Sequence, residues 1–223
     1  MLHSVAFIPD GNRRYALKNA LSLAESYSLG FQKAEDVADW CFEHKGIREA
    51  TIWSLSTENL KRSSIELTDF MDILKFKLDE AREREKVHRD KIRFRIAGRL
   101  DLLPKRVSES ARKLEEATEI YSNRTVNLCI GYGGRAELME AFKKLVDSGK
   151  ELNEENLETF LYLPESPDLI IRTGGNKRLS GFMPWQSTYS ELHFSNKLWP
   201  EFSRSDFEKA LNDFYSRERR FGL

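Results

Sequence analysis

Short apolar runs recur along this chain between longer segments with helical spacing, and this alternation is the feature that most limits its possible folds. The candidate strands are Ser4–Ile8, 50–56, Ile92–Ala97, 125–130 and 168–172, with a weaker one at 192–194. Most of them are almost continuously apolar, as expected for strands that are covered on both faces. Strands that alternate with helices predict an α/β fold with a mainly parallel central sheet flanked by helices. We expect one domain over residues 1–223.

Several of the intervening segments have clear helical signals. Pro104 is expected at the first position of one helix. Further helices are predicted over 135–147 and over 205–220, the second with Ser205 as its N-cap. A long helix is predicted over 66–90, and its apolar stripe consists of Leu67, Phe70, Met71, Leu74, Leu78 and Ala81. This stripe either packs on the sheet or lines a pocket for a hydrocarbon.

Charge and composition exclude several classes of protein. Lys and Arg total 36 and Asp and Glu total 36, so no overall positive field would attract nucleic acid. Cys41 and Cys129 are expected as buried thiols, and the 4 histidines lack zinc-ligand spacing. No apolar run approaches the roughly 20 residues that span a bilayer, and no signal-peptide pattern is present, so we expect a cytoplasmic protein.

The first candidate site follows the first predicted strand. Ligands of open α/β sheets bind at the carboxyl ends of the strands, and Asp10, Gly11, Asn12, Arg13 and Arg14 come directly after Ile8. Asp-Gly-Asn by itself is a common turn. Here, however, backbone amides and arginine forks suited to a diphosphate accompany a carboxylate that, together with phosphate oxygens, suits magnesium.

Polar residues also follow the second strand. Ser56 and Asn59 are succeeded by Arg62. The hydroxyl and the amide either cap a helix or orient a substrate, and the sequence leaves both interpretations open.

The richest cluster of cations follows the strand at 168–172. Arg172, Arg178 and Ser180 surround two glycines, a composition typical of a phosphate cradle. A solvated basic loop is the alternative interpretation. Further along, Glu191 is either a second carboxylate for a metal or a surface residue.

These segments, in this order, resemble the cis-prenyltransferase family, whose best-known type is undecaprenyl diphosphate synthase. The resemblance covers essentially the whole chain. The matching motifs are Asp10-Gly11-Asn12 with Arg14, Ser56-Thr57-Glu58-Asn59 with Arg62, Tyr132-Gly133-Gly134-Arg135, Arg172-Thr173-Gly174-Gly175, Arg178-Leu179-Ser180, Trp185-Gln186, Tyr189-Ser190-Glu191-Leu192, Leu198-Trp199-Pro200 and Arg217-Glu218-Arg219-Arg220-Phe221-Gly222.

The resemblance implies a Mg²⁺-dependent enzyme that joins an allylic prenyl diphosphate to isopentenyl diphosphate in cis geometry and releases diphosphate. Asp10 would hold the metal, while Gly11, Asn12, Arg13 and Arg14 would grip the allylic diphosphate. Arg172, Arg178 and Ser180, with Arg62, would bind the second diphosphate, and Ser56 and Asn59 would align the acceptor. Glu191, from the same or the partner subunit, would assist with the metal. Arg220 and Gly222 would reach across a homodimer to the acceptor.

Three positions depart from the family pattern. Leu23 stands where an arginine usually contacts the allylic diphosphate, Tyr27 replaces a histidine, and Leu60 replaces a tryptophan. Arg13 stands where many relatives have glycine, and we expect it to restore the positive charge that is missing at Leu23. These departures leave open irregular condensation or O-prenylation of a non-isoprenoid acceptor.

Two further alternatives are weaker. A non-catalytic subunit of a heteromeric synthase would lack the catalytic carboxylate, whereas Asp10 and Asn59 are present. A generic nucleotide-binding protein would carry a glycine fingerprint, which the chain lacks. The expected partners are prenyl diphosphates and a second copy of the chain, without nucleic acid. Long prenyl products also imply peripheral contact with membranes, although no basic amphipathic helix marks an anchor.

Overall fold

The structure is a computed structural model, and it describes residues 1–217. Six strands form one sheet: β1 Ser4–Ile8, β2 Glu49–Ser56, β3 Ile92–Ala97, β4 Arg124–Tyr132, β5 Leu169–Arg172 and β6 Glu191–Phe194. Their order is β3-β4-β2-β1-β5-β6, and every neighbouring pair is parallel. The predicted α/β fold with a mainly parallel sheet is therefore confirmed.

The helices flank this sheet. They are α1 Asn12–Lys18, α2 Leu23–Glu43, α3 Ser64–Glu83, α4 Glu85–Arg89, α5 Lys105–Thr118, α6 Gly134–Ser148, α7 Glu154–Glu158 and α8 Arg204–Ser216. Short 3-10 helices lie at Glu58–Lys61, Leu100–Leu102 and Trp199–Glu201.

Most predicted elements are found, with shifted ends. The single helix predicted over 66–90 is wrong, because the backbone of Arg84 is extended (φ −70°, ψ 117°) and separates α3 from α4. The N-cap of α8 is Ser203, whose hydroxyl accepts from the amide of Asp206, and not Ser205. Pro104 is the N-cap residue of α5. The 21-residue helix α2 was not among the elements indicated by apolar spacing.

The two faces of the sheet bury different partners. On one face, Phe7 and Ile52 pack with residues of α2 and α8, and a neighbouring cluster joins α3 and α5 to β2 and β4. On the other face, Ala6, Ile8 and Cys129 pack with Phe182. Successive residues of a strand point to opposite faces, so the continuous apolar runs noted in the sequence serve both layers.

The strand order decides which loops become neighbours. β1 lies between β2 and β5, with Ile8 paired to Arg172. The carboxyl ends of these three parallel strands therefore meet at one edge of the sheet. The loops after Ile8, after Ser56 and after Arg172 converge there, as expected at the edge where such sheets bind ligands.

Candidate active site

The carboxylate of Asp10 lies at the centre of this edge. Its Oδ2 accepts hydrogen bonds from Arg172 Nη2 at 2.9 Å and from Asn176 Nδ2 at 2.8 Å. Its Oδ1 accepts from Arg14 Nη2 at 3.0 Å. Residues that follow two different strands thus hold one carboxylate between two guanidinium groups and an amide.

These contacts keep Asp10 ionised. Burial by itself raises the pKa of the carboxyl, but the hydrogen bonds from Asn176 and Arg172, together with the charge of Arg172, outweigh it and hold the pKa below the ordinary value of 3.8. Hydrogen bonds to the charged form stabilise that form. At neutral pH the site therefore contains one negative charge between two positive ones.

The backbone around Asp10 is fixed by the loop after β5. The hydroxyl of Thr173 accepts from the amide of Asp10 at 3.0 Å and donates to its carbonyl at 2.8 Å. Arg14 Nη1 donates to the carbonyl of Gly174 at 2.8 Å. Gly174 has φ +79°, and a Cβ there would lie 2.5 Å from Arg14 Nη2 and 2.9 Å from the Asp10 carbonyl oxygen. Only glycine fits this turn.

Arg172 is the most buried cation of the site. Its side chain is 6% exposed, and Nη1 donates to Ser180 Oγ at 2.8 Å and to the carbonyl of Arg178. Its Nε is buried and has no hydrogen-bond partner among residues 1–217. An unpaired buried donor is costly, and the Arg172 side chain that carries it lines the cavity described below.

The loop after β2 forms a compact local ring. Asn59 Oδ1 accepts from the amide of Ser56 at 3.4 Å, and Ser56 Oγ accepts from the amide of Asn59 at 3.1 Å. Ser56 Oγ thereby satisfies an amide in the first turn of the short 3-10 helix, close to the first of the two interpretations, although the N-cap residue itself is Thr57, which makes no side-chain capping bond. Both side chains also line the cavity described below, so they stand where the second interpretation, orientation of a substrate, requires them.

A buried carboxylate, which the sequence did not indicate, organises the remaining cations. Glu66 Oε1 accepts from the phenol of Tyr27 at 2.5 Å and lies 3.4 Å from Arg62 Nη1 and 3.8 Å from Arg13 Nε. Arg62 Nη1 also donates to the Tyr27 oxygen at 3.1 Å. Burial and the bond to Glu66 raise the pKa of Tyr27 to about 12, so the phenol stays protonated as a donor.

A polar cavity of about 760 Å³ opens over these groups. Ten of the predicted site residues line it: Asp10, Gly11, Asn12, Arg13, Arg14, Ser56, Asn59, Arg62, Arg172 and Ser180. The sequence therefore identified most of the lining. Phe70 of the predicted apolar stripe and Ser54 line it as well. The sequence missed Trp53, which also lines the cavity, because an apolar residue on a strand carries no chemical signal by itself.

Other predicted residues stand apart from this cavity. The side chain of Arg178 is exposed and only its carbonyl contacts Arg172. Glu191 pairs in register with Leu169 at the amino end of β5, whereas Arg172 ends that strand. The rise along β5 from Leu169 to Arg172 is about 10 Å. Within one copy of the chain, Glu191 therefore lies at the other end of the strands from Asp10. Instead, Glu191 Oε2 accepts from Arg217 Nη1 at 2.7 Å. Arg220 and Gly222 lie outside the described residues.

Asn176 and Thr173 were within the cationic segment of the sequence but had no assigned role. Both contact Asp10, over separations of 166 and 163 residues. Asn12 was assigned to the diphosphate, and its Oδ1 is buried without a partner in the described part of the chain. A Cβ at Gly30 would approach this oxygen to 2.5 Å, which explains a glycine at this point of α2.

Apolar space leads away from the polar cavity between α2, α3 and the sheet. A cavity of about 40 Å³ shares Pro9, Asn12, Tyr27 and Phe70 with the polar one, and it shares Phe31, Ala34, Ile52 and Ser54 with a third cavity of about 100 Å³. Leu74, Leu78 and Ala81 line this third cavity. The lower part of the predicted stripe therefore lines apolar space near the site, while Leu67 and Met71 pack within the core.

The donor set of the site fits a magnesium ion only in part. One ionised carboxylate, Asp10, faces the cavity, and no group of three acidic, histidine or cysteine side chains gathers anywhere in residues 1–217. Mg²⁺ is commonly held by one or two carboxylates together with substrate phosphates and water. The residues present therefore fit an ion that arrives with a diphosphate, with Asp10 as the protein ligand.

Comparison with known proteins agrees with this geometry. The family model for undecaprenyl diphosphate synthase matches residues 8–222. The chain is 40% identical to a tritrans,polycis-undecaprenyl-diphosphate synthase (geranylgeranyl-diphosphate specific) of Methanopyrus kandleri, over 98% of this chain and 83% of the relative. It is 42% identical to an isoprenyl transferase of Thermotoga maritima, over 98% and 95%.

A solved structure has the same fold. The lavandulyl diphosphate synthase of Lavandula x intermedia, in complex with dimethylallyl diphosphate, superposes with a TM-score of 0.90 at 28% identity, covering 99% of this chain and 98% of that one. The family model covers nearly the whole chain, and the two relatives are at least 40% identical to it over 98% of its length. The chain belongs to the undecaprenyl diphosphate synthase family of cis-prenyltransferases.

Proposed function

We propose that the protein is a magnesium-dependent prenyltransferase that condenses an allylic prenyl diphosphate with isopentenyl diphosphate in cis geometry and releases diphosphate. One observation carries the proposal. The ionised Asp10 is held between Arg14 and Arg172 in a polar cavity from which an apolar passage leads. Charged groups at one end and hydrocarbon walls at the other match a prenyl diphosphate.

The allylic diphosphate binds beside the N-terminus of α1. Asn12, Arg13 and Arg14 follow Gly11 there, and backbone amides at a helix start together with arginine forks bind phosphate oxygens. When the carbon–oxygen bond of the donor breaks, its electron pair leaves with the diphosphate. Cations that are already in place stabilise this developing charge without reorganisation.

The second diphosphate binds on the side of β5. Arg172 Nε has no partner in the described part of the chain, and Ser180 is fixed against the same guanidinium. We assign Arg172, Ser180 and Arg62 to the diphosphate of the acceptor, and the exposed Arg178 to its outer side. Ser56 and Asn59, which line the same cavity, align the acceptor alkene. Its carbon bonds to the allylic carbon as the carbon–oxygen bond of the donor breaks, and the resulting cation then loses a proton to the released diphosphate.

Asp10 is the residue assigned to Mg²⁺, which would neutralise the diphosphate as it leaves. Desolvated walls complete the site: Trp53 and Phe70 line the cavity beside Tyr27. An allylic cation in such surroundings meets the alkene of the acceptor before it meets water.

We further infer that the active unit is a homodimer. On α6, the side chains of Met139, Phe142 and Val146 are 71%, 45% and 62% exposed, and their spacing places them on one face of the helix. The assignment of Glu191 to the metal, from the same or the partner subunit, remains a prediction. The assignments of Arg220 and Gly222 to the acceptor across the dimer remain predictions.

Irregular condensation is the second candidate. Leu23 and Leu60 pack against the apolar cluster of α3 and α5, so neither supplies the polar contact usual in the family. O-prenylation of another acceptor has no comparable support. A cytoplasmic site of action with peripheral membrane contact through the product stays part of the proposal. Among the described residues 1–217, none of the helices qualifies as a membrane span.

Product analysis decides between these functions. Purified full-length protein is incubated with Mg²⁺, isopentenyl diphosphate and labelled allylic diphosphates, and the products are identified by mass and by double-bond geometry. We expect linear products with new cis double bonds, and no product when Mg²⁺ is chelated. Branched products would establish irregular condensation instead, and the absence of any prenyl product would overturn both.

A further inference from the structure

One buried carboxylate joins four elements of the fold at the wall of the polar cavity. Glu66 lies in the first turn of α3. Its neighbours Arg13, Tyr27 and Arg62 belong to α1, to α2 and to the segment after β2. The phenol of Tyr27 donates to Glu66 Oε1 at 2.5 Å. The same oxygen lies 3.4 Å from Arg62 Nη1 and 3.8 Å from Arg13 Nε. These three neighbours line the cavity, whereas Glu66 is only 8% exposed and lies outside the lining.

The two arginines keep N–H groups for a ligand. A guanidinium carries five N–H groups. Within residues 1–217, Arg62 uses one of them in a hydrogen bond, from Nη1 to the Tyr27 oxygen at 3.1 Å, and Arg13 makes the ion pair with Glu66 without a hydrogen bond. Asp10 differs, because it lies in the cavity and takes N–H groups from both of its arginines by direct hydrogen bonds. Glu66 therefore holds its arginines without using up their donors.

Stability alone does not account for a carboxylate at this position. Leu67 and Phe70, its neighbours on α3, pack in an apolar cluster. Burying a carboxylate costs free energy unless it is paired, and a buried ion pair can often be replaced by apolar side chains without loss of stability. Two of the residues around Glu66, Arg13 and Tyr27, are also positions at which the sequence departs from the family pattern. The arrangement is thus a feature of this chain, and its effect on the arginines explains it.

We propose that Glu66 is a positioning residue, which orients Arg13 and Arg62 so that their free N–H groups face the two diphosphates. This rests on the proposed function, which assigns Arg13 to the allylic diphosphate and Arg62 to the diphosphate of the acceptor. A long side chain that is fixed before the ligand arrives loses less conformational entropy on binding. Because one oxygen, Glu66 Oε1, faces both arginines, a single carboxylate prepares both binding sites.

Binding of inorganic diphosphate tests the positioning without turnover. Diphosphate is titrated calorimetrically, in the absence of Mg²⁺, into the full-length wild type, Arg62→Gln, Glu66→Gln and the double variant. Arg62→Gln should weaken binding to the wild type about tenfold, as expected for the loss of a hydrogen bond between charged groups. In the Glu66→Gln background the same change should weaken binding no more than about twofold, because an arginine that is no longer oriented contributes little. Glu66→Gln keeps an acceptor for the Tyr27 phenol and removes only the charge.

Two further variants make the result decisive. Tyr27→Phe removes the oxygen that accepts from Arg62 Nη1, so Arg62→Gln should again cost little in that background, which replaces Glu66→Gln if that variant fails to fold. Asp72→Asn is the control: it removes another carboxylate of α3, paired with the exposed Arg106 at 2.5 Å, and should leave the tenfold effect unchanged. An effect of Arg62→Gln that is equal with and without the Glu66→Gln change overturns the inference. A larger effect with that change also overturns it, because a carboxylate that competes for Arg62 would give this result.

Turnover separates this inference from the proposed function. Diphosphate release is assayed with isopentenyl diphosphate and a series of allylic diphosphates. In Glu66→Gln we expect the KM for isopentenyl diphosphate to rise about fivefold and the KM for the allylic substrate to rise as well, with kcat within about threefold, because Asp10 and Arg172 are untouched. A lower kcat with both KM values unchanged would contradict positioning. If the wild type releases no diphosphate with any donor, the proposed function fails, while the titrations still decide the role of Glu66.

Discussion

Arg172 Nη2 donates to Asp10 Oδ2 at 2.9 Å across 162 residues of sequence. This contact joins the last residue of β5 to the loop that follows the neighbouring strand β1. The same guanidinium keeps a buried Nε without a partner in the described part of the chain. One arginine therefore neutralises the Asp10 carboxylate and keeps one N–H without a protein partner among residues 1–217.

Replacing Asp10 separates its chemical role from its charge. Asp10→Asn keeps the shape of the side chain and removes the negative charge between Arg14 and Arg172. We expect the kcat of the Mg²⁺-dependent reaction to fall at least about 100-fold. Inorganic diphosphate without Mg²⁺ should bind the variant at least as tightly as the wild type, because the two cations have lost their counter-charge. Unchanged turnover would contradict the assignment.

Gly174 tests the close approach of the two loops. Gly174→Ala places a methyl group 2.5 Å from Arg14 Nη2 at a φ of +79°. Gly149→Ala is the matched control, since its φ is +69° and nothing lies within 4 Å. The control should lose only the backbone term of about 1 kcal/mol in unfolding free energy. Gly174→Ala should lose about 1–3 kcal/mol more and most of its activity; equal losses would refute the crowding.

The Tyr27–Glu66 hydrogen bond is measurable as a coupling energy. Unfolding free energies of Tyr27→Phe, Glu66→Gln and the double variant complete a double-mutant cycle. Both residues are buried, at 4% and 8% exposure, and the acceptor is charged, so we expect a coupling of about 1–3 kcal/mol. A coupling indistinguishable from zero would mean that the pair does not fix the ring of Tyr27.

Glu137 gives a pH dependence away from the site. Burial raises the pKa of this carboxyl above 4.5, although it accepts from Tyr132, Gln186 and the amide of Tyr162. Because the pKa of Glu137 is higher in the folded than in the unfolded chain, the protonated carboxyl contributes to stability. This contribution is fully present at low pH and is lost as the pH rises through the pKa of the folded state.

Glu137→Gln cannot lose this contribution. The stability of the variant, measured by urea unfolding and expressed as the unfolding free energy of the variant minus that of the wild type, should therefore be greater at about pH 8 than at about pH 5. A difference that is the same at both pH values, or that has the opposite sign, would show that the carboxylate is not destabilised by its surroundings.

The proposed dimer is tested on α6. Phe142→Glu introduces a charge into the exposed apolar face, and we expect light scattering to give the mass of a monomer with most activity lost. Ile120→Glu is the control, because Ile120 is also exposed, at 79%, but lies beyond α5 and away from that face. A dimeric, active Phe142→Glu would exclude this face as the interface.

The sequence predicted which residue types form the site better than it predicted which side chains contact each other. Asp10, Arg14, Arg172 and Ser180 were identified because each follows an apolar strand, and strand ends of a parallel sheet converge. Asn176 was not assigned to Asp10, since its role depends on how one loop turns back over another. Glu191 was grouped with the site by its motif, whereas its register beside Leu169 places it at the opposite edge within one chain.

The sequence by itself determined the α/β class, the parallel sheet and the set of charged residues at the strand ends. These follow from local apolar spacing and from the order of elements. Only the tertiary structure decided that Asp10 is shared by two arginines, that Glu66 holds Tyr27, and that Tyr27 and Phe70 line both the polar cavity and the apolar one beside it. The reason is physical: these contacts join residues up to 166 positions apart, and their geometry is set by the packing of whole elements, which no local pattern encodes.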